Sequence, residues 1–117
     1  MGKNIIMDFN EYQKKAAETA EFGDDFPVDP LIYTTLGLAG EEGEVVEKVK
    51  KIIRNDRNNI TEKKREELKL ELGDVLWYLS QIAYQLDIPM SEVAQGNIDK
   101  LADRKKRGVI ASEGDNR

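Results

Sequence analysis

Residues 38–51 read LAGEEGEVVEKVKK. Leu38 and Val49 fall on one side of a helix turning about 100° per residue, so the stretch reads as an amphipathic helix that packs inward. Yet it holds four glutamates within seven residues, Glu41, Glu42, Glu44 and Glu47. Like charges at helical spacing repel, and burial makes the repulsion costlier. A helix of this kind is the first element of an all-α reading and raises the question of what its charge is for.

Working outward, four helical segments are predicted. The first starts near Phe9, where Asp8 and Glu11 have capping-box spacing and Met7 can staple onto Tyr12, and runs to Gly23. Residues 24–29 form a loop. The second opens on Asp29-Pro30, a good cap followed by a favoured first-turn residue, and runs to about Ile53. The polar run NDRNN (55–59) breaks it. The third follows the cap Thr61 and runs to about Leu86, with Leu68, Leu72, Val75, Leu79, Ile82 and Leu86 as a continuous apolar seam. Leu70 and Trp77 lie off that seam, as surface apolar residues or as contacts with another subunit. The fourth starts after Ser91, packs Val93, Ile98, Leu101 and Ala102 inward, and ends by Gly108. Helices of this length with short connections predict an antiparallel four-helix bundle-like fold, one domain over 1–117 with a polar tail at 109–117.

Composition narrows the chemistry. The 117 residues contain no Cys and no His. Disulfides, thiol nucleophiles, histidine bases and His-ligated zinc are therefore excluded. A metal would have to bind through oxygen, which favours magnesium, manganese or calcium. The net charge of -5 argues against nucleic acid as a partner. No apolar run reaches transmembrane length and no signal-peptide pattern is present, so the expected location is cytoplasmic, away from membranes.

The acids fall into pairs. Glu41 and Glu44 are three residues apart on the second helix, and Glu71 and Asp74 repeat that spacing on the third. If the two helices are antiparallel neighbours, four carboxylates converge, and a divalent cation would relieve their repulsion. Gly43 and Gly73, inside the two motifs, would let the helices approach closely. The alternative is a solvated acidic face, with Glu44–Lys48 and Glu47–Lys51 as ordinary surface ion pairs. Glu47 faces away from the apolar stripe. Glu42 lies near its centre, either at a pocket mouth or on a strongly acidic surface turn. On the fourth helix Asn97, Lys100 and Arg104 share one face, suited to phosphate or to solvent. Lys105, Lys106 and Arg107 form its solvated, dipole-compensating end.

Taken together, GLAGEEGEVVEKVKK (37–51) and ELGDVLWYLSQIA (71–83) resemble the MazG-like, all-α nucleotide pyrophosphohydrolases. FNEYQ (9–13), GNIDKLADRKKRG (96–108) and GDNR (114–117) extend the likeness over nearly the whole chain. The resemblance implies hydrolysis of nucleoside triphosphates between the α and β phosphates, giving monophosphate and pyrophosphate. It implies magnesium, with manganese as a substitute, on Glu41, Glu44, Glu71 and Asp74. It implies substrate contacts from Asn97, Lys100, Arg104, Tyr78 and Lys51, and a homodimer or homotetramer. One position departs. Many members read E-E-x-x-E, and here Gly40 stands where the leading acid is expected. Activation of water then falls to one of the four acids or to Glu42.

The reading is thus a magnesium-dependent housecleaning enzyme acting on (d)NTPs. Its main rival is a non-catalytic helical interaction or nucleotide-binding regulatory module. A di-iron carboxylate bundle is disfavoured, because such sites use E-x-x-H and the chain has no His.

Overall fold

The computed structural model describes residues 6–111 and 113. Its helices are α1 (Phe9–Glu18), α2 (Pro30–Asp56), α3 (Glu62–Gln85) and α4 (Met90–Arg107), and no strand occurs among the described residues. The C-terminal GDNR lies outside them.

Three helix starts follow the sequence signals. Asp8 Oδ1 accepts from the Glu11 amide at 2.7 Å. Asp29 Oδ1 accepts from the Leu31 amide at 2.9 Å, with Pro30 opening α2. Thr61 Oγ1 accepts from the Lys64 amide at 3.2 Å. Each supplies an acceptor to an amide that has no partner within its helix. At Asp8 the box is half made, because the Glu11 carboxylate pairs with Lys15 at 3.4 Å.

Two boundaries differ from expectation. Helix α1 stops at Glu18 rather than Gly23, and Thr19 folds its hydroxyl back onto the Ala16 carbonyl at 2.7 Å. Helix α4 begins at Met90, ahead of Ser91, with Pro89 as a cap that offers no side-chain acceptor. Helix α1 supplies the missing acceptors. Gln13 Oε1 accepts from the Met90 amide at 3.1 Å, and Asn10 Oδ1 accepts from the Ser91 amide at 2.9 Å. Gln13 Nε2 also donates to the Ile88 carbonyl at 2.9 Å. So the start of α4 is capped by another helix. Its end is conventional: Gly108 takes φ 73°, the left-handed conformation glycine adopts without penalty.

Helices α2 and α3 are antiparallel. Thr34 meets Gln85 near one end, where Gln85 Nε2 donates to Thr34 Oγ1 at 3.0 Å. Lys48 meets Glu71 farther along. Between them, the Tyr78 ring lies over Gly37. A Cβ at that glycine would stand 2.2 Å from the ring, so only glycine permits this approach. Gly43 and Gly73, expected to play that part, have open space beside them.

The face of α3 turned to α2 therefore carries Glu71, Asp74, Tyr78 and Gln85. The apolar seam runs beside that face: Leu68, Val75 and Ile82 are half-buried, and Leu72, Leu79 and Leu86 are exposed. Trp77, expected on the surface, is half-buried and donates from Nε1 to Thr19 Oγ1 at 2.7 Å, whereas Leu70 does point outward. Helices α1 and α4 both pack on α3, and α4 makes no contact with α2 among the described residues. The four helices thus do not close around a common core within one chain. The radius of gyration, 17.4 Å, exceeds the roughly 13 Å of a compact chain of this length. No described helix is long and apolar enough to cross a membrane.

Candidate metal centre

The antiparallel crossing brings together three of the four predicted acids. Glu41 from α2 and Glu71 and Asp74 from α3 each place one carboxylate oxygen within 4.8 Å of the others. Glu41 and Glu71 are half-buried and Asp74 is exposed. Glu44 is exposed and stands outside this triplet. It lies about 60° around α2 from Glu41 and a turn further on, so the two do not face α3 equally.

The electrostatics reflect the crowding. Glu41 binds its proton more tightly than an ordinary glutamate, first because burial disfavours its charge, then because Asp74, Glu71 and Glu44 repel it. Lys48 approaches the triplet, its Nζ 3.9 Å from Glu71 Oε1. Among the described residues no other ion pair reaches Glu41, Glu71 or Asp74, so negative charge remains in excess there.

Beside the triplet is an open cavity of about 320 Å³, lined by Glu41, Asp74, Trp77 and Tyr78. Tyr78 was expected here. Burial raises its phenol pKa, reinforced by Tyr33 and then by Glu41 and Asp74, so it stays a neutral hydroxyl able to donate. Burial and the Asp74 charge raise Tyr12 in the same direction. Tyr33 belongs to an edge-to-face cluster with Phe22 and Phe26, at ring separations of 5.8 and 5.2 Å, which packs the loop before α2 against that helix.

The other expected site residues lie elsewhere. Lys51 pairs with Glu47 at 3.9 Å, and Lys50 reaches the same carboxylate at 2.9 Å. That confirms Glu47 as a surface group and takes Lys51 away from the acids, because its position on α2 faces solvent. Lys48, read from sequence as a partner of Glu44, reaches across to Glu71 instead. Glu42 is exposed and does not line the cavity, which answers the question it raised. Asn97 lines an apolar groove with Leu76 and Leu79. Leu76 stands about 200° around α3 from Asp74, so that groove opens on the opposite side of the helix. Lys100 is exposed and Arg104 is buried on the same α4. None of these three lines the cavity beside the acids, and α4 packs on α3 without touching α2 among the described residues.

Two residues of the site were missed. Lys48 follows Glu41 by seven residues and Glu44 by four, a spacing that could have placed it on their side of the helix. Trp77 follows Asp74 by less than one turn, but its size drew it to a subunit interface instead.

The model of the MazG nucleotide pyrophosphohydrolase domain matches residues 32–109. The chain is similar to the Gene 37 protein of Mycobacterium phage L5, at 50% identity over 109 residues, covering 91% of this chain and 96% of that protein. No solved structure gives a significant match.

Proposed function

This chain belongs to the MazG nucleotide pyrophosphohydrolase family, and on that footing we propose that it hydrolyses (d)NTPs between the α and β phosphates to a monophosphate and pyrophosphate. The observation that carries the reading is the convergence of Glu41, Glu71 and Asp74 from two helices onto one point beside a cavity.

The donor set fits a hard divalent cation. It is all carboxylate oxygen, it leaves negative charge in excess, and its half-buried member already resists ionisation. We take the ion to be magnesium, with manganese as a substitute. When bound, such an ion neutralises phosphate charge and acidifies water. Glu41, Glu71 and Asp74 would hold it, and Glu44, a turn away on α2, would be the fourth acid near it. Tyr78 offers its hydroxyl proton to a phosphate oxygen. Gly40 supplies no base and Glu42 is exposed, so the proton from the attacking water passes to one of the clustered carboxylates. We place this activity in the cytoplasm, in a housecleaning role. Pyrophosphate release from a panel of dNTPs tests the reading: we expect release with magnesium and none in EDTA. Equal release in EDTA would overturn it.

We also propose that the working unit is a homodimer or homotetramer. Along α2, Ile32, Leu36, Val46 and Ile53 are each more than half exposed, and Leu72, Leu79 and Leu86 add to the open surface on α3. A second copy would cover such surface. It would also allow Asn97 and Lys100, both exposed on α4, to reach substrate held at the acids of another copy, whereas Arg104 is buried within its own chain. Sedimentation equilibrium should give two or four times the 13.3 kDa of one chain. A single-chain mass at micromolar concentration would contradict this.

A further inference from the structure

The cavity lining is of two chemical kinds. Glu41 and Asp74 contribute carboxylates, and Trp77 and Tyr78 contribute aromatic rings. A nucleoside triphosphate is likewise an anionic tail joined to a flat aromatic ring. The acids, with a divalent ion, account for the tail. Nothing assigned so far accounts for the ring.

Trp77 is held as a surface of fixed orientation. Its indole Nε1 donates to Thr19 Oγ1 at 2.7 Å. Thr19 is itself held, since its hydroxyl donates to the Ala16 carbonyl at 2.7 Å. The Trp77 ring also meets Tyr78 edge to face, with centroids 5.0 Å apart and planes at 88°. Tyr78 in turn is pressed over Gly37. The indole is thus pinned through its nitrogen and against a neighbouring ring. It nevertheless stays half-buried and borders the cavity, where a packing residue would be enclosed. The three-residue step from Asp74 is a rise of about 4.5 Å, which puts the ring beside the acids.

We propose that Trp77 is the platform on which the nucleobase stacks, and that Thr19 is a positioning residue that sets the plane of its ring. The inference rests on the reading of the site as one for nucleoside triphosphates. Stacking tolerates any base, because every base presents a π face, so this contact separates nucleotides from inorganic polyphosphate without choosing among bases. It also gives α1 a functional role, as the helix whose C-cap residue, Thr19, orients the platform.

Trp77 is the chain's single tryptophan, so its fluorescence reports on this position alone. The test titrates the whole protein, in magnesium, with an α,β-methylene dNTP analogue and separately with inorganic tripolyphosphate. The analogue should quench the emission. Tripolyphosphate should displace the analogue yet leave the emission nearly unchanged. Trp77→Ala should raise the KM for dNTP roughly five- to 150-fold, the span of one base–aromatic stack, while the inhibition constant of tripolyphosphate holds. Trp77→Phe should recover most of the loss. Thr19→Val keeps the size of the side chain but removes the acceptor, and should raise KM in the same direction by less. Equal quenching by both ligands, or equal weakening of both by Trp77→Ala, would overturn the proposal. Turnover without quenching would refute the platform and leave the hydrolase reading intact. Quenching by the analogue in a protein that turns over no dNTP would do the reverse.

Discussion

Glu71→Gln is expected to lower pyrophosphate release by a hundred- to a thousand-fold, the scale of losing one preorganised electrostatic contact at a reacting centre. Glu71 places an oxygen within 4.8 Å of those of Glu41 and Asp74. It adds to the repulsion felt by Glu41 and receives the approach of Lys48 at 3.9 Å. The amide keeps the shape of the side chain and removes the charge, so it weakens the grip on a cation without opening a hole. The same change relieves Glu41 of a like charge. In EDTA the variant should therefore melt at or above the wild-type temperature while being nearly inactive. Parallel measurement of turnover and melting separates the two effects. Loss of turnover together with a collapse of the melting temperature would mean that Glu71 holds the fold and not the ion. Full turnover would remove it from the site.

Magnesium is expected to raise the melting temperature of the wild type by roughly 10 °C at about a hundred times its dissociation constant. The effect follows from cancelling repulsion among Glu41, Glu71 and Asp74. Protons do part of the same work. The folded-state pKa of Glu41 lies above its ordinary value, so the folded chain holds that proton more tightly than the unfolded one. The penalty is fully present near neutrality and is relieved as pH falls through the raised value toward the ordinary carboxylate range. Glu47 and Glu66 have the opposite sign. Hydrogen bonds from Lys50 and Lys69 lower their pKa values, and the stability they confer is lost only as pH falls through and below the ordinary range. In EDTA the melting temperature should accordingly rise on acidification from neutral pH and turn over below it. The magnesium increment should shrink over the same rising limb, because protons compete for the ligands. Differential scanning calorimetry across pH, with and without magnesium, reads all of this. A magnesium increment absent at neutral pH, or equally large in Glu71→Gln, would count against the site.

Much of this was legible in the sequence, and the residues show why the rest was not. Asp8, Asp29 and Thr61 are local acceptors acting on amides two or three residues ahead, so the starts of α1, α2 and α3 could be read directly. The start of α4 could not, because its acceptors come from Gln13 and Asn10, more than seventy residues earlier. Pairing of the acids depended on α2 and α3 being antiparallel neighbours, which their short connection dictates. Spacing alone could not say that Glu41 faces α3 more directly than Glu44, nor that the close approach would come at Gly37 and not at Gly43 or Gly73. The seam from Leu68 to Leu86 was correctly periodic, yet only Leu68, Val75 and Ile82 are half-buried, while Leu72, Leu79 and Leu86 are exposed. Periodicity shows that a face is apolar without naming what covers it. The placement of α4 was least accessible. Its basic face was visible, but the side of α3 it occupies is set by Met90, Val93 and the groove beside Leu76 and Leu79.

The most direct test of the whole account is to follow a dNTP by phosphorus NMR as the protein turns it over with magnesium. The account expects monophosphate and pyrophosphate to appear in equal amounts and to stop appearing when EDTA is added. Diphosphate with orthophosphate, or no magnesium-dependent turnover of any dNTP, would contradict it.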